Sequence, residues 1–222
     1  MSAIFVTATG TDVGKTYVTC SLIAALRRAG ANVAALKPVI SGFDEAQAPP
    51  SDSGRILAAL GRACDRAALD AISPWRYAAA LSAEMAAERE GRAVPFDEVV
   101  AFCKGAVAEA RGPCLIEGVG GLMSPIDDRR TNRDLIVAMN ATPLLVAGSY
   151  LGTISHILTA LAAFDQVKIK PIAVVISESE NSPVGLAELA ARLAGFTQVP
   201  IVAIGRHREV PAALIDLVAA RV

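Results

Sequence analysis

Residues 4–16 read IFVTATGTDVGKT, and this stretch decides the fold. A short apolar run leads into a glycine-containing turn, and Gly-Lys-Thr then opens an apolar pattern with helical spacing from residue 17 to residue 26. A strand, a tight turn and a helix N-terminus in succession are the context that a phosphate-binding loop requires, because free backbone N–H groups and the helix dipole both favour an anion there. In such a loop, Lys15 reaches the outer phosphates and the Thr16 hydroxyl ligates Mg²⁺.

The glycine spacing of this loop departs from the strict phosphate-loop motif. The motif places a glycine five residues before Gly14, where this chain has Thr9, and Gly10 comes one residue late. An ordinary strand–turn–helix with a lysine at the helix start is therefore the alternative interpretation. The strand before the turn and the helix after it favour nucleotide binding.

Composition indicates one α/β domain spanning residues 1–222. The chain is 53% hydrophobic and 19% charged, with 21 basic and 22 acidic residues, so no global field recruits nucleic acid or acidic lipid. The four cysteines are dispersed without a C-x-x-C pair, which is typical of buried thiols in a reducing cytosol. No basic leader and no apolar run of transmembrane length is present. We therefore expect a cytoplasmic protein without membrane or nucleic-acid partners.

Apolar runs alternate with amphipathic segments along the chain. Runs suited to buried strands lie at 3–7, 32–36, 114–117, 143–147, 171–176 and 200–204. Helix-length segments lie at 15–28, 96–110, 131–139, 153–164, 185–194 and 210–221. This alternation predicts a doubly wound, mostly parallel sheet with helices on both faces and ligands at the carboxyl ends of the strands. Residues 43–95 are the least regular, so we expect active-site elaboration there.

Polar residues stand where the predicted strands end. Lys37 leaves the second apolar run and either snorkels to solvent or faces an anion. Glu117 ends the third run and precedes three glycines in four residues, a position that phosphate-loop enzymes use to hold Mg²⁺ or orient a nucleophile. Asp52 lies in a helix N-cap region, and capping is its stronger local interpretation. Together, Thr16, Asp52 and Glu117 offer the oxygen ligands that Mg²⁺ prefers.

The segment 147–156, after the fourth run, begins another helix with small polar residues. Free backbone N–H groups there could bind a second anion, such as a substrate carboxylate. Capping by Thr153 or Ser155 explains the same residues equally well. No Ser-His-Asp order, metal-binding His pair or G-x-S-x-G elbow is present in the sequence.

Taken in order, these segments resemble one family, the dethiobiotin synthetases. The matching stretches are 5–7, 11–16, 36–42, 51–52, 117–121 and 151–154. The resemblance implies ATP-dependent carboxylation and ring closure of 7,8-diaminononanoate (diaminopelargonate) with CO₂ to give dethiobiotin, ADP and phosphate in biotin biosynthesis. It further implies a carbamate and a carbamic-phosphoric anhydride as intermediates, with ATP as co-substrate, Mg²⁺ as cofactor and a homodimer as the assembly.

The resemblance also assigns roles to individual residues. Lys15 and Lys37 are implied as the catalytic charges, Lys37 standing near the transferred phosphate and the carbamate. The implied nucleotide-binding residues are Thr11, Asp12, Val13, Gly14, Lys15, Thr16, Tyr17, Asp52, Glu117, Gly118, Val119, Gly120, Ser177, Gly205 and Arg206. The implied substrate-binding residues are Ser41, Leu151, Gly152, Thr153 and Ser155, the last four acting across the dimer interface. The implied metal ligands are Thr16, Asp52 and Glu117.

The main alternative is a partner-gated phosphate-loop ATPase of the partition or positioning type. Those proteins carry an additional lysine five residues before Lys15, where this chain has Gly10. The C-terminal segment 214–221 is amphipathic but weakly basic, which favours packing in the core over membrane binding. Both observations favour the synthetase.

Overall fold

A computed structural model describes residues 3–221, which form a six-stranded parallel sheet and a separate two-stranded parallel pair. The strands are β1 (Ile4–Ala8), β2 (Ala34–Leu36), β3 (Val39–Ile40), β4 (Trp75–Arg76), β5 (Cys114–Glu117), β6 (Thr142–Gly148), β7 (Val174–Ser177) and β8 (Ile201–Ile204). The main sheet has the order β2-β5-β1-β6-β7-β8, and β3 pairs with β4. The predicted doubly wound parallel sheet is confirmed.

Helices cover both faces of this sheet. They are α1 (Lys15–Arg28), α2 (Asp52–Ala59), α3 (Arg66–Ile72), α4 (Ala83–Arg89), α5 (Phe96–Glu109), α6 (Asn132–Met139), α7 (Thr153–Gln166), α8 (Leu186–Ala194) and α9 (Ala212–Ala219). Strands β1, β5 and β7 are buried at every position, which explains why their sequences are mostly apolar. Each of the six predicted runs contains or overlaps a strand, although β7 begins at Val174 rather than at residue 171.

Residues 43–95 hold elements that hydrophobic periodicity did not delimit. Helices α2, α3 and α4 are eight, seven and seven residues long, and a 3₁₀ turn spans Glu45–Gln47. The β3–β4 pair joins only two residues on each side, Val39 with Trp75 and Ile40 with Arg76. Elements of this length give too few repeats for a period to be recognised.

The parallel pairing sets where the loops meet. In β1, Val6 lies opposite Glu117 of β5 and Leu144 of β6. The loops after these three neighbouring strands therefore lie at one edge of the sheet, as expected for ligand sites in open α/β folds. Within residues 3–221, no helix combines the length and the apolar character needed to cross a membrane.

Candidate functional site

The loop between β1 and α1 forms the centre of the site. Gly14 precedes the helix with φ of 94°, and no side chain between residues 3 and 221 caps the helix. A Cβ at Gly14 would stand 2.3 Å from the Ser177 hydroxyl oxygen, so the loop can approach β7 closely only with glycine here. The backbone N–H groups of the first turn of α1 thus face a site for an anion.

Four side chains from four separate parts of the chain meet beside this helix start. The Thr16 hydroxyl donates to Oε1 of Glu117 at 2.8 Å. Lys37 Nζ lies 2.7 Å from the same oxygen and 3.0 Å from Oδ2 of Asp52. Lys37 Nζ also donates to the Gly118 carbonyl oxygen at 3.1 Å. The structure therefore brings Thr16, Lys37, Asp52 and Glu117 together.

Burial strengthens the electrostatic interactions within this cluster. The Lys37 side chain is 2% exposed and that of Glu117 is 0% exposed, whereas that of Asp52 is 39% exposed toward the cleft. Burial alone would lower the pKa of Lys37, but the charges of Glu117 and Asp52 hold it above its usual value. The charge of Lys37 overcomes the effect of burial on Asp52 and lowers the pKa of that carboxyl.

Lys15 differs from Lys37 in the contacts of its ammonium group. It is also buried, yet among residues 3–221 its ammonium group makes no hydrogen bond or ion pair. Burial, followed by the charge of Lys37, lowers its pKa to about 8. A buried cation that makes no ion pair stabilises an anion placed beside it, because the anion offsets the cost of burial.

A cleft of 810 Å³ opens over this cluster. Its lining includes the predicted residues Thr11, Asp12, Gly14, Lys15, Thr16, Tyr17, Lys37, Ser41, Asp52, Val119 and Gly120. Val13 lies in the adjoining pocket described below, and Gly118 reaches the cluster through its carbonyl oxygen. Most of the sequence-predicted residues of the nucleotide and metal sites therefore share one connected concave surface.

A second pocket, of 350 Å³, adjoins the cleft and shares Asp12, Gly14 and Tyr17 with it. It is lined further by Val13, Ser177, Glu178, Ser179, Glu180, Arg206 and His207. The Tyr17 hydroxyl donates to the Arg208 carbonyl at 2.5 Å and lies 3.5 Å from the Gly205 carbonyl, which ties α1 to the loop after β8. Ser177, Gly205 and Arg206 are thus grouped on this side.

The predicted substrate residues at the start of α7 lie apart from the cleft. In the described part of the chain, Leu151, Gly152, Thr153 and Ser155 do not line either pocket. The alternative that Thr153 or Ser155 caps the helix is wrong, because the Thr153 hydroxyl instead donates back to the Gly148 carbonyl at 2.6 Å. Ser155 is exposed, and Leu151 is 89% exposed.

The local interpretation of Asp52 as a helix cap is also wrong. The Ser51 hydroxyl accepts the Gly54 N–H at 3.1 Å and makes Ser51 the N-cap of α2. Asp52 is the first helical residue, and its carboxylate turns toward Lys37. Because Ser51 makes the capping hydrogen bond, the Asp52 carboxylate remains available to the site.

The residues present fit a hard divalent cation. Oε2 of Glu117 is buried and has no hydrogen-bond partner among the described residues, which leaves one carboxylate oxygen available as a ligand. Residues 3–221 hold no group of three or more His, Cys, Asp or Glu side chains suited to a metal. Mg²⁺ bound with nucleotide needs only one or two carboxylates, because phosphate and water supply its other ligands.

Three polar side chains of the cleft were not predicted from the sequence. Arg55 lies on α2 one turn after Asp52, Ser82 is the N-cap residue of α4, and the Ser124 hydroxyl accepts the Gly121 N–H at 2.7 Å. The spacing of Asp52 and Arg55 could have indicated Arg55, since residues three apart share one helix face. Ser82 and Ser124 lie in segments that carry no motif.

Curated relatives with one shared name cover most of the chain. A protein named ATP-dependent dethiobiotin synthetase BioD from Caulobacter sp. (strain K31) is 52% identical over 197 residues, covering 88% of this chain and 84% of the relative. Proteins of that name from Acidiphilium cryptum and Methylobacterium nodulans are 44% and 41% identical. The first alignment covers 90% of this chain and 92% of the relative, and the second covers 99% and 100%.

The family model described as an AAA domain matches residues 2–208. Among solved structures, a DUF1611 family protein from Anabaena variabilis has a TM-score of 0.57 at 16% identity, with 98% of this chain and 57% of that chain covered. The MinC:MinD cell division protein complex of Aquifex aeolicus has a TM-score of 0.53 at 12% identity, with 99% and 86% covered. At such identities, these structural likenesses concern the fold alone.

Proposed function

The chain belongs to the ATP-dependent dethiobiotin synthetases, and we propose that its cleft carries out their ring-closing ligase reaction. The substrates are ATP, CO₂ and diaminopelargonate, and the products are dethiobiotin, ADP and phosphate. The observation that carries the proposal is that Lys15, Lys37 and Asp52 line one cleft at the carboxyl edge of the sheet, where Lys37 pairs with the buried Glu117 carboxylate. The alternative as a partition-type ATPase has support only at the level of the fold.

The nucleotide would lie across the two adjoining pockets. Its phosphates meet the start of α1, where free backbone N–H groups and the buried charge of Lys15 favour anions. From there, its base reaches the second pocket, whose walls include Ser177 and Arg206. Tyr17 joins the two parts, because it lines both pockets and hydrogen-bonds to the loop after β8.

Mg²⁺ would be held by Thr16, Asp52 and Glu117 together with phosphate and water oxygens. When bound, the ion supplies positive charge beside the phosphates during phosphoryl transfer. The support from this chain is chemical: three oxygen-bearing side chains converge, and Oε2 of Glu117 is buried without a partner in the described residues.

The reaction requires the protein to supply positive charge and to align the reactants. One amine of the substrate takes up CO₂ to give a carbamate, ATP phosphorylates the carbamate, and the second amine attacks its carbon and expels phosphate. Lys15 and Lys37 place positive charge where negative charge develops on the phosphoryl oxygens. Ser41 lines the same cleft and positions the substrate. No covalent protein nucleophile is needed, since the carbamate oxygen is itself the nucleophile.

The substrate carboxylate would be held at the start of α7 of a second copy of the chain in a homodimer. Two observations support this arrangement. Gly152 begins α7 without a side-chain cap from any residue between 3 and 221, so backbone N–H groups there are available to an anion. Leu151 is 89% exposed beside it, an apolar side chain suited to an interface.

Phosphate release tests the activity directly. Purified protein is given Mg-ATP and bicarbonate, with and without diaminopelargonate, and both phosphate and dethiobiotin are measured. We expect release that depends on the diamine, with one phosphate per dethiobiotin. Equal phosphate release without the diamine, or release stimulated by DNA or lipid instead, would overturn the proposed function.

The dimer is tested at Leu151. We expect Leu151→Asp to convert the dimer to a monomer in light scattering, because a buried carboxylate replaces an apolar contact. The free energy of unfolding of the variant subunit should stay within about 0.5 kcal/mol of that of the wild-type subunit. Val137→Asp, at an exposed apolar residue of α6 that lines neither pocket, is the matched control for an apolar-to-acidic change elsewhere. A wild-type protein that is monomeric at assay concentrations would contradict the interface site.

A further inference from the structure

Three protein oxygens surround the Lys37 ammonium, which hydrogen-bonds to two of them and forms an ion pair with the third. Its ammonium lies 2.7 Å from Glu117 Oε1, 3.0 Å from Asp52 Oδ2 and 3.1 Å from the Gly118 carbonyl oxygen. An ammonium group offers three donors and no more. In this arrangement Lys37 cannot also donate to a phosphate or a carbamate, although it lines the cleft where both would lie.

The two carboxylates that hold Lys37 are the same two that suit a divalent cation. Among residues 3–221, Lys37 is the only cation within 4 Å of Asp52 and Glu117. Both groups of this pair are almost fully buried at the Lys37–Glu117 contact, where a charge without a counter-ion is costly. If Lys37 moved away and no other cation took its place, Glu117 would therefore remain as a buried charge without a counter-ion.

We propose that Lys37 is an exchangeable counter-ion of the metal site: its ammonium neutralises Asp52 and Glu117 until Mg²⁺ takes them over, and Lys37 is then released to the substrate. This inference rests on the proposed function, because it assumes that Asp52 and Glu117 are metal ligands. It adds an order of events. Lys37 becomes available for the carbamate and the transferred phosphoryl group only once the metal is in place.

The main chain of Lys37 is built to stay fixed while its side chain moves. Its N–H donates to the Ile72 carbonyl at 3.0 Å, and its carbonyl accepts the Ser73 hydroxyl at 2.5 Å. Ser53 donates in turn to the Ser73 hydroxyl at 2.8 Å. Exchange therefore requires only rotation of the four-carbon stem, which displaces the ammonium group without disturbing β2 or β3.

Metal binding by Lys37→Met tests the exchange without relying on turnover. Mn²⁺ serves as the probe, and its binding to wild type and variant is measured by electron paramagnetic resonance, with and without ADP. We expect the variant to bind Mn²⁺ at least about tenfold more tightly without ADP, because no ammonium competes for the carboxylates. Lys104→Met, which removes an exposed lysine of α5, is the matched control and should bind as wild type does.

Thermal melting supplies a second readout. In EDTA, Lys37→Met should melt below wild type, because Glu117 is left buried and unpaired, and Mg²⁺ should raise its Tm more than that of wild type. If Lys37→Met does not fold, the double variant with Glu117→Gln should, since the site is then closer to neutral. A double variant that also fails to fold would contradict the counter-ion role.

Two outcomes separate this inference from the proposed function. Equal Mn²⁺ affinity of wild type and Lys37→Met would overturn the exchange and leave the ligase proposal standing. An absence of Mn²⁺ binding by wild type even with ADP, together with loss of the diamine-dependent phosphate release, would overturn the metal site on which both rest.

Discussion

Helices α1 and α7 begin with the same backbone geometry but lie in different surroundings. Each is 14 residues long and follows a central strand, and each starts at a glycine, Gly14 with φ of 94° and Gly152 with φ of 95°. At α1 the next residues, Lys15 and Thr16, are buried beside two carboxylates. At α7 the start is open to solvent beside Leu151. The two helix starts thus share one backbone geometry, and neighbouring charge and burial distinguish them.

Gly14→Ala should give the largest effect. A Cβ there would stand 2.3 Å from the Ser177 hydroxyl oxygen, and φ is positive. Steric strain and overpacking together should lower the free energy of unfolding by about 3 kcal/mol. Displacement of the loop should weaken ADP binding at least about 100-fold, measured by calorimetry.

Ser177→Gly in the Gly14→Ala background separates the two causes. It removes the clash and keeps the positive φ, so we expect partial recovery of stability, measured by urea unfolding against the Ser177→Gly single variant. No recovery at all would show that contact with β7 does not decide the conformation of this loop.

Lys15→Met should weaken ADP binding by about 100-fold and stabilise the ligand-free protein by about 1–2 kcal/mol at pH 7. The opposite signs follow from one cause, because Lys15 is buried without an ion pair among the described residues. Urea unfolding and calorimetry measure the two effects, with Lys104→Met as the exposed control. A variant less stable than wild type would show that Lys15 is held by the protein itself.

The gain in stability should depend on pH. The pKa of Lys15 is about 8 in the folded protein, below its usual value of 10.5. Below pH 8 the lysine is charged in both states and its burial cost is complete. Between pH 8 and 10.5 the folded protein binds fewer protons than the unfolded chain, so wild-type stability rises toward that of the variant. Urea unfolding at pH 7 and pH 9.5 compares the two.

Gly152→Ala should give the smallest effect. A Cβ there meets no atom within 4 Å in the described part of the chain, so only the positive φ of 95° opposes the change. We expect a cost of about 1 kcal/mol and unchanged ADP binding. The KM for diaminopelargonate should rise, since the backbone N–H groups shift. If Gly152→Ala weakened ADP binding as much as Gly14→Ala, the proposed difference in role between the two helix starts would be wrong.

The main sheet could be predicted because both of its faces are covered. Strands such as β5 and β7 are buried at every position, so their sequences are apolar up to the last residue and stand out between amphipathic helices. The short helices of residues 43–95 and the β3–β4 pair gave no such signal. They are held by packing and by contacts with distant residues, such as the pairing of Val39 with Trp75.

The composition of the cluster was predicted, but its internal pairing was not. Strand ends predicted that Lys37 and Glu117 would lie at one edge, and the structure places Lys37 against the protein's own carboxylates. Asp52 was assigned to a cap because Ser51 and Asp52 are both good capping residues, and only the fold shows that Ser51 is the cap. Distances between these separate segments depend on the sheet order, which local sequence does not specify.

The position of β1 at the middle of the sheet has a consequence for the growing polypeptide. Its partners are β5 and β6, and Ile4 lies opposite Leu115 and Thr142. During synthesis, β1 leaves the ribosome well before β5 and β6 and cannot pair with them until both have followed. Ile4, Phe5 and Val6, fully buried at the end, remain without their native partners until then. The part of the site that comes first in the sequence is thus completed late in folding.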